Sequence, residues 1–372
     1  MELHRLPTVF RVKVDVVNGN DQQHPHDHLH PHLPTLGSGE KFDRRTIVRT
    51  GAFGLGAILL AACGSNGSPV DTASDLASQT TTGSDVDPDT PARASSASDD
   101  ATLGGFDSFA DTVRAFTSGD VWMVESNGIP AHQMMVGITS WQQQFPVPQP
   151  YVGNNAWQIP QNPELADEPV SAATGLFRGA IALAVNGVPI FNALNNRGVD
   201  AYLVGELDEF GGHCGRADDY HYHIAPLHLQ EIVGSENPIA YALDGFAIYG
   251  SVEPDGSPLE ALDEYNGHVG ADGQYHYHGT DTYPYINGGL VGIVSVSDQV
   301  DPQPTTPAFR PAGEPLPGAE ITDFEDLGKD SYRLEYMIDG QVGSAEYTVS
   351  DTSVSFTFTS PNGEVTSETY AR

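Results

Sequence analysis

The sequence predicts an all-β protein, a sandwich or barrel assembled from two pseudo-repeats of about 55 residues and followed by a small C-terminal β-meander. Three observations carry this expectation. The tetrapeptide Tyr220-His221-Tyr222-His223 returns as Tyr275-His276-Tyr277-His278. With 14 His and 15 Tyr in 372 residues, one such tetrapeptide is expected in roughly one chain per thousand of this length, and two are far rarer. Short apolar runs closed by Gly, Pro and Asn recur along the chain, whereas long helical periodicity is hard to find outside a possible short helix around Leu259 to Glu264.

The duplication extends beyond the tetrapeptide. Leu207-Asp208-Glu209-Phe210-Gly211-Gly212-His213 is answered by Leu262-Asp263-Glu264-Tyr265-Asn266-Gly267-His268 at the same offset of 55. Asn186-Gly187-Val188-Pro189-Ile190-Phe191 is answered by Asp244-Gly245-Phe246-Ala247-Ile248-Tyr249 at an offset of 58, so the copies differ by three residues in the loop between these blocks.

From the N-terminus, residues 1–62 read as an extension and signal peptide and not as part of the fold. The apolar run Gly51 to Ala62 has 12 residues, short of the roughly 20 that cross a bilayer. Arg44-Arg45 before it fits a twin-arginine export signal, and Leu60-Ala61-Ala62-Cys63 resembles a bacterial lipobox with Cys63 as the lipidation site. Residues 1–43 exceed an ordinary n-region, and translation is expected to start inside them. The histidines between His24 and His32 lie before the expected cleavage point and are set aside. Residues 63–104 are Ser, Thr, Asp, Ala and Gly with almost no large apolar side chain, the composition of a disordered lipoprotein tether.

Residues 105–300 form the repeat-bearing domain. Val121 to Val124 is a short strand closed by Ser126-Asn127-Gly128-Ile129-Pro130, and Ile181 to Val185 is a strand running into the Asn186-Gly187 turn. Six prolines between Pro302 and Pro317 mark residues 301–319 as a linker. In residues 320–372, alternating Tyr332, Leu334, Tyr336 and Ile338, then Tyr347 and Val349, then Val354, Phe356 and Phe358, predict a meander of about four strands.

The formal charge of −34 excludes the usual electrostatic route to nucleic acid or anionic lipid surfaces. Without residues 1–62 the balance is 9 Lys/Arg against 44 Asp/Glu. Such an acidic protein stays solvated. Membrane attachment is expected through the lipid on Cys63, on the periplasmic or extracellular face, and no protein partner is identifiable.

Histidine carries the candidate chemistry. On a strand, Tyr220 and Tyr222 face one way and His221 and His223 the other. Imidazoles two residues apart start about 7 Å apart and can lean onto one metal ion. His213 and His268 each stand eight residues before their His-x-His pair, near enough for a turn to return a third ligand. The candidate metal ligands are therefore His213, His221, His223, His268, His276, His278 and His132, the last in its own Gly-Pro turn; His228 is weaker because its counterpart is Tyr283. All-imidazole ligation suits Zn or Cu without choosing between them. Asp208 and Asp263, in register, either orient a ligating imidazole from behind or cap a turn. Cys214, whose counterpart is Val269, fits a small buried side chain, with a thiolate or redox role as the alternative.

These residues resemble the YHYH-domain family, through Ser126-Asn127-Gly128-Ile129-Pro130 with His132, Tyr241 to Gly250, Leu262 to His268 and Tyr275 to Gly279 with Tyr283-Pro284-Tyr285. The resemblance covers about residues 121–290 and implies an exported bacterial domain without naming a reaction. Many members carry Cys where this chain has Tyr265. The spacing Gly215-x5-His221-x-His223, echoed from Gly270, also looks like the first cupin motif, but two cupin barrels need roughly 100 residues each.

The leading expectation is a membrane-tethered extracytoplasmic domain that binds a transition metal. A glycan or surface-polymer recognition module with structural histidines, and a metal-dependent hydrolase or oxidoreductase, are the alternatives. The repeats are expected to pair about a pseudo-twofold axis and to bring both His-x-His strands to one shared or dinuclear centre.

Overall fold

A computed structural model describes residues 103–372. The expected signal peptide, Cys63 and nearly all of the tether lie outside the described residues. Strands β1 (Arg114–Ser118), β2 (Val121–Glu125) and β3 (Trp157–Pro160) form a small antiparallel sheet, and β4 (Leu165–Ser171) follows. The repeats contribute β5 (Ala180–Ala184), β6 (Pro189–Phe191), β7 (Gly212–Cys214) and β8 (Tyr220–Tyr222), then β9 (Ala240–Ala242), β10 (Ala247–Tyr249), β11 (Gly267–Val269) and β12 (Tyr275–His278). These eight make one sheet in the order β11-β12-β10-β9-β5-β6-β8-β7.

That order reads the same from both ends, repeat for repeat. At the centre β5 pairs antiparallel with β9, Leu183 opposite Tyr241. On either side lies a hairpin partner, β6 or β10. Next comes a parallel strand, β8 beside β6 and β12 beside β10. An antiparallel edge strand, β7 or β11, closes each end. The expected pseudo-twofold axis therefore passes between β5 and β9. The reason lies in the sequence, because Ala180-Ile181-Ala182-Leu183-Ala184 and Ala240-Tyr241-Ala242 are apolar throughout and buried on both faces, as central strands must be. The hairpins turn at Asn186-Gly187 and Asp244-Gly245, where the glycines take φ of 79° and 97°, a region that favours Gly.

The strand order overturns the expectation of one shared centre. The strands β8 and β12 are separated by β6, β5, β9 and β10, so the two His-x-His motifs stand near opposite edges of the sheet. Among the described residues no closed barrel forms; the architecture is several sheets packed together.

Strand β13 (Gly289–Gly292) returns to pair with β4, and a short ladder joins β14 (Ser295–Val296) to β15 (Val300–Asp301). Residues 302–319 contain no helix or strand, yet they are pinned to the domain: the Gln303 side chain bonds the Ala180 backbone and Arg310 grips Asp218. The C-terminal meander has five strands, not four: β16 (Glu320–Gly328), β17 (Ser331–Ile338), β18 (Gln341–Val349), β19 (Ser353–Thr359) and β20 (Val365–Ala371). The strand missing from the sequence reading is β16, whose register shifts between Ile321 and Asp323 break the alternation that marks a strand. The inner face of the meander packs aromatics on the 141–147 segment, with Phe145 at 5.4 Å from Phe356 and Trp141 at 5.2 Å from Tyr336 between ring centres.

Leu259 to Glu264 is not helical. Pro258 precedes it, and the Glu260 amide instead donates to Glu253 Oε1 at 2.8 Å. The short helical turns of the described residues fall elsewhere, at Phe106–Phe109, Gly153–Asn155 and Leu227–Val233.

Candidate metal centres

In each repeat the third histidine arrives across the ladder. His213 on β7 lies directly opposite His221 on β8, and His268 on β11 directly opposite His276 on β12. Cross-strand partners have Cβ atoms about 4.5–5.5 Å apart, and the residue two further along, His223 or His278, shares the same face. Two groups of donors result, His213 with His221 and His223, and His268 with His276, His278 and Glu253, each with its ligand atoms within 4.8 Å of one another.

The glycines ahead of each motif make room for the rings. A Cβ at Gly215 would lie 2.9 Å from His221 Cε1, and one at Gly270 2.7 Å from His276 Cε1, closer than real contacts allow. The Gly-x5-His-x-His spacing is thus a packing requirement of the first imidazole.

Backbone carbonyls orient the rings from behind. His221 Nδ1 lies 2.9 Å from the Asp219 carbonyl, and His278 Nδ1 2.9 Å from that of Gly250. His223 Nδ1 meets the Asn192 carbonyl at 2.5 Å, and Asn192 and Gly250 are themselves repeat counterparts. Donation by Nδ1–H leaves Nε2 as a bare lone pair facing its neighbours, the arrangement a ligating imidazole needs. Burial, then the neighbouring imidazoles, holds His213 well below the usual range and brings His223 down to about 3. Burial, then the charge of a neighbouring imidazole, also lowers His276, and burial lowers His278 against the opposing effect of the Gly250 carbonyl. These rings are therefore neutral and able to ligate at neutral pH.

The distances fit a metal ion. Donors 2.0–2.1 Å from a tetrahedral ion are separated by about 3.3–3.4 Å. In the second centre His268 Nε2 is 3.3 Å from His278 Nε2 and 3.4 Å from Glu253 Oε1, while Glu253 Oε2 is 3.5 Å from His276 Nε2 and 3.6 Å from His278 Nε2. His276 Nε2 is buried with no hydrogen-bond partner among the described residues, a state that costs about 1–3 kcal/mol and that a bound cation removes. In the first centre His213 Nε2 and His223 Nε2 are 3.0 Å apart. Since His223 Nε2 is bare, His213 must supply the proton between them when no ion does.

The remaining candidates sit elsewhere. Asp208 and Asp263 touch no imidazole. Asp208 Oδ1 accepts from the amides of Phe210 and Gly212, and Asp263 Oδ1 from those of Tyr265 and Gly267. Their Oδ2 atoms take the hydroxyls of Tyr220 and Tyr275 at 2.7 and 2.8 Å. They cap the turns and anchor the tyrosine face, the second of the two roles open to them.

His132 lies on that tyrosine face, away from both donor groups. Its Nε2 meets the Tyr222 hydroxyl at 2.7 Å and its Nδ1 the Gln133 carbonyl at 2.7 Å, while the ring stacks on Phe210 and abuts His228. Cys214 is buried, and burial pushes its thiol well up, so it is held as a neutral, small side chain.

The donor that sequence reading missed is Glu253. Carboxylates are abundant in a chain with 50 Asp/Glu, and the repeat comparison hides this one because its counterpart is Asn195. Burial of a carboxylate among histidines is visible only in three dimensions.

Over the described residues, fold and geometry together define an all-β protein with two candidate metal centres related by internal duplication. The family model described as YHYH protein matches residues 156–257, which supports the resemblance carried by the tetrapeptide. The match contains His213, His221, His223 and Glu253 and stops short of His268, His276 and His278. No curated protein and no solved structure matches the chain.

Proposed function

We propose that this chain is a transition-metal-binding protein holding two ions, one per repeat, on a domain that a lipid on Cys63 tethers to the outer side of a bacterial membrane. The observation that carries the metal reading is the second centre, where three imidazoles and a carboxylate converge at tetrahedral spacing around the unpartnered His276 Nε2. Separations of 3.3 to 3.6 Å favour Zn over Cu(II), which prefers tetragonal geometry. The export and tether part rests on the motif order Arg44-Arg45, apolar run, Cys63.

A metal-dependent enzyme is the second reading, favoured by the three-donor first centre, since catalytic zinc sites keep one position open. A glycan-recognition module with structural histidines requires no metal at all. Elemental analysis of protein purified without chelators from metal-replete cells separates these readings. We expect two ions per chain beyond any held by a control lacking both centres, His223→Ala with His278→Ala. Wild type that holds no more metal than this control overturns the metal reading and returns the histidines to a structural role.

A further inference from the structure

We propose that the two centres have divided their labour: the Glu253 centre is closed and structural, whereas the His213, His221 and His223 centre is open and takes a small anion through a carboxylate or phosphate oxygen as its fourth donor. This rests on the metal-binding reading above. The second centre has four protein donors, enough to complete a tetrahedral shell. The first has three, which leaves a tetrahedral ion one position short.

That position faces a cavity of about 480 Å³, lined by all three histidines, within the size range of small-molecule sites. The charge around it is unlike the rest of the protein. The described residues contain eight Lys/Arg, and four of them, Arg178, Arg197, Arg216 and Arg310, line this one cavity. Its lining includes one carboxylate, Glu206, which is tied to Arg197 and Asn195. Arg310 is held by Asp218 and the Gln143 carbonyl, and Arg178 lies 3.6 Å from Asp298 with both side chains mostly exposed. Arg216 is exposed and has no ion pair among the described residues. In a chain of formal charge −34, the general field repels anions, so a site that accepts one must supply its own local positive charge.

The duplication supplies an internal control. Matching backbone bridges, Leu194 with Asp200 and Val252 with Pro258, fix the alignment here at 58 residues. Arg197 then corresponds to Asp255 and Asn195 to Glu253, while at the offset of 55 Arg216 corresponds to Ala271. The copy that gained a fourth protein ligand lacks these two arginines, and the copy that lacks the ligand has them. Guanidinium forks suit carboxylate and phosphate oxygens.

The test uses the full chain loaded with Co(II), whose visible spectrum reports four-coordinate sites, titrated separately with inorganic phosphate and with acetate. A control carrying His223→Ala with His278→Ala subtracts cobalt held outside the centres. The protein with only the first centre, made by His276→Ala with His278→Ala, should change its spectrum on adding one or both anions, and which anion acts identifies the ligand chemistry. The protein with only the second centre, made by His221→Ala with His223→Ala, should not respond. Arg178→Ala with Arg216→Ala, both at exposed positions, should weaken anion binding about tenfold or more at unchanged cobalt affinity. Cobalt bound at the first centre with no anion response, an equal response at both centres, or full anion affinity in the arginine variant overturns this proposal alone. Failure of both centres to bind cobalt overturns the metal reading with it.

Discussion

Asn195 and Glu253 occupy the same position in the two repeats. Their amides donate to the carbonyls four residues on, Val199 and Ser257, at 2.8 and 3.1 Å. The Asn195 side chain turns to Glu206, and the Glu253 side chain turns inward to His268, His276 and His278. A single difference at one backbone position thus sets the number of protein donors at each centre.

Glu253→Gln should therefore weaken metal binding at the second centre only. Loss of an outer partner of a ligand typically costs about 10–100-fold in affinity, and loss of a charged ligand should exceed that. Competition with a chelator, read separately in variants that retain one centre, checks this. Equal weakening at both centres would contradict the separation of the sites.

Because β8 and β12 lie near opposite ends of the sheet, His221→Ala with His223→Ala should halve the bound metal and leave the affinity of the remaining ion unchanged. Mutations with no shared partner are additive to within about 0.5 kcal/mol. Metal content together with a binding isotherm measures both quantities. Loss of all metal would restore the shared centre that the strand order argues against.

The tetrapeptide and its upstream histidine were legible because a strand alternates its faces and the same pattern appears twice. Where those strands stand was not. The duplicated histidine elements suggest half-repeats that meet at them, but the interior of the sheet goes to the strands buried on both faces, Ala180–Ala184 and Ala240–Ala242. Strands carrying polar rings on one face are left outside them. Residue type and its Gly-Pro turn group His132 with the ligands in the sequence, whereas the structure pairs it with Tyr222 on the far side of β8.

That pairing makes His132 a source of acid sensitivity. In the neutral ring Nδ1–H donates to the Gln133 carbonyl and Nε2 accepts from Tyr222, whose oxygen also accepts from Asn186 at 3.0 Å. Protonation would set two donors against each other, and burial, partly opposed by the Gln133 carbonyl, lowers the His132 pKa from 6.5 to about 4. The unfolded chain takes up this proton near 6.5 and the folded chain only near 4, so the contribution of His132 to stability is intact above pH 6.5 and declines as pH falls to 4. The loss is at most about 3 kcal/mol. Denaturant titrations of metal-free protein at pH 7 and 4.5 should show the decline, and Tyr222→Phe should reduce it. An unchanged difference in that variant would assign the acid sensitivity to other groups.

If Cys63 is the acylated residue, Cys63→Ala should abolish incorporation of labelled fatty acid and release the protein from the membrane fraction. Arg44→Lys with Arg45→Lys should block export through the twin-arginine route. Labelled lipid persisting in the first variant, or export persisting in the second, would remove the corresponding step.

Gly270 offers a test of the second centre that leaves every donor in place. It lies in the turn between β11 and β12, where its amide bonds the Gln274 carbonyl and its backbone does not adopt positive φ. Alanine is therefore conformationally acceptable there. Its Cβ, however, would stand 2.7 Å from His276 Cε1 and 3.1 Å from Nδ1, so the ring must tilt or shift by several tenths of an ångström. His276 and Glu253 are already at tetrahedral spacing, 3.5 Å apart, and displacement of one donor from a four-donor set should reduce affinity by about tenfold or more. Gly270→Ala should consequently lose metal at the second centre while the metal-free protein still folds, its stability lowered by no more than the roughly 1–3 kcal/mol that overpacking costs. A chelator titration with a melting curve on the same sample reads both effects. Undiminished affinity in a folded variant would show that His276 does not ligate, and the second centre would then rest on His268, His278 and Glu253 alone.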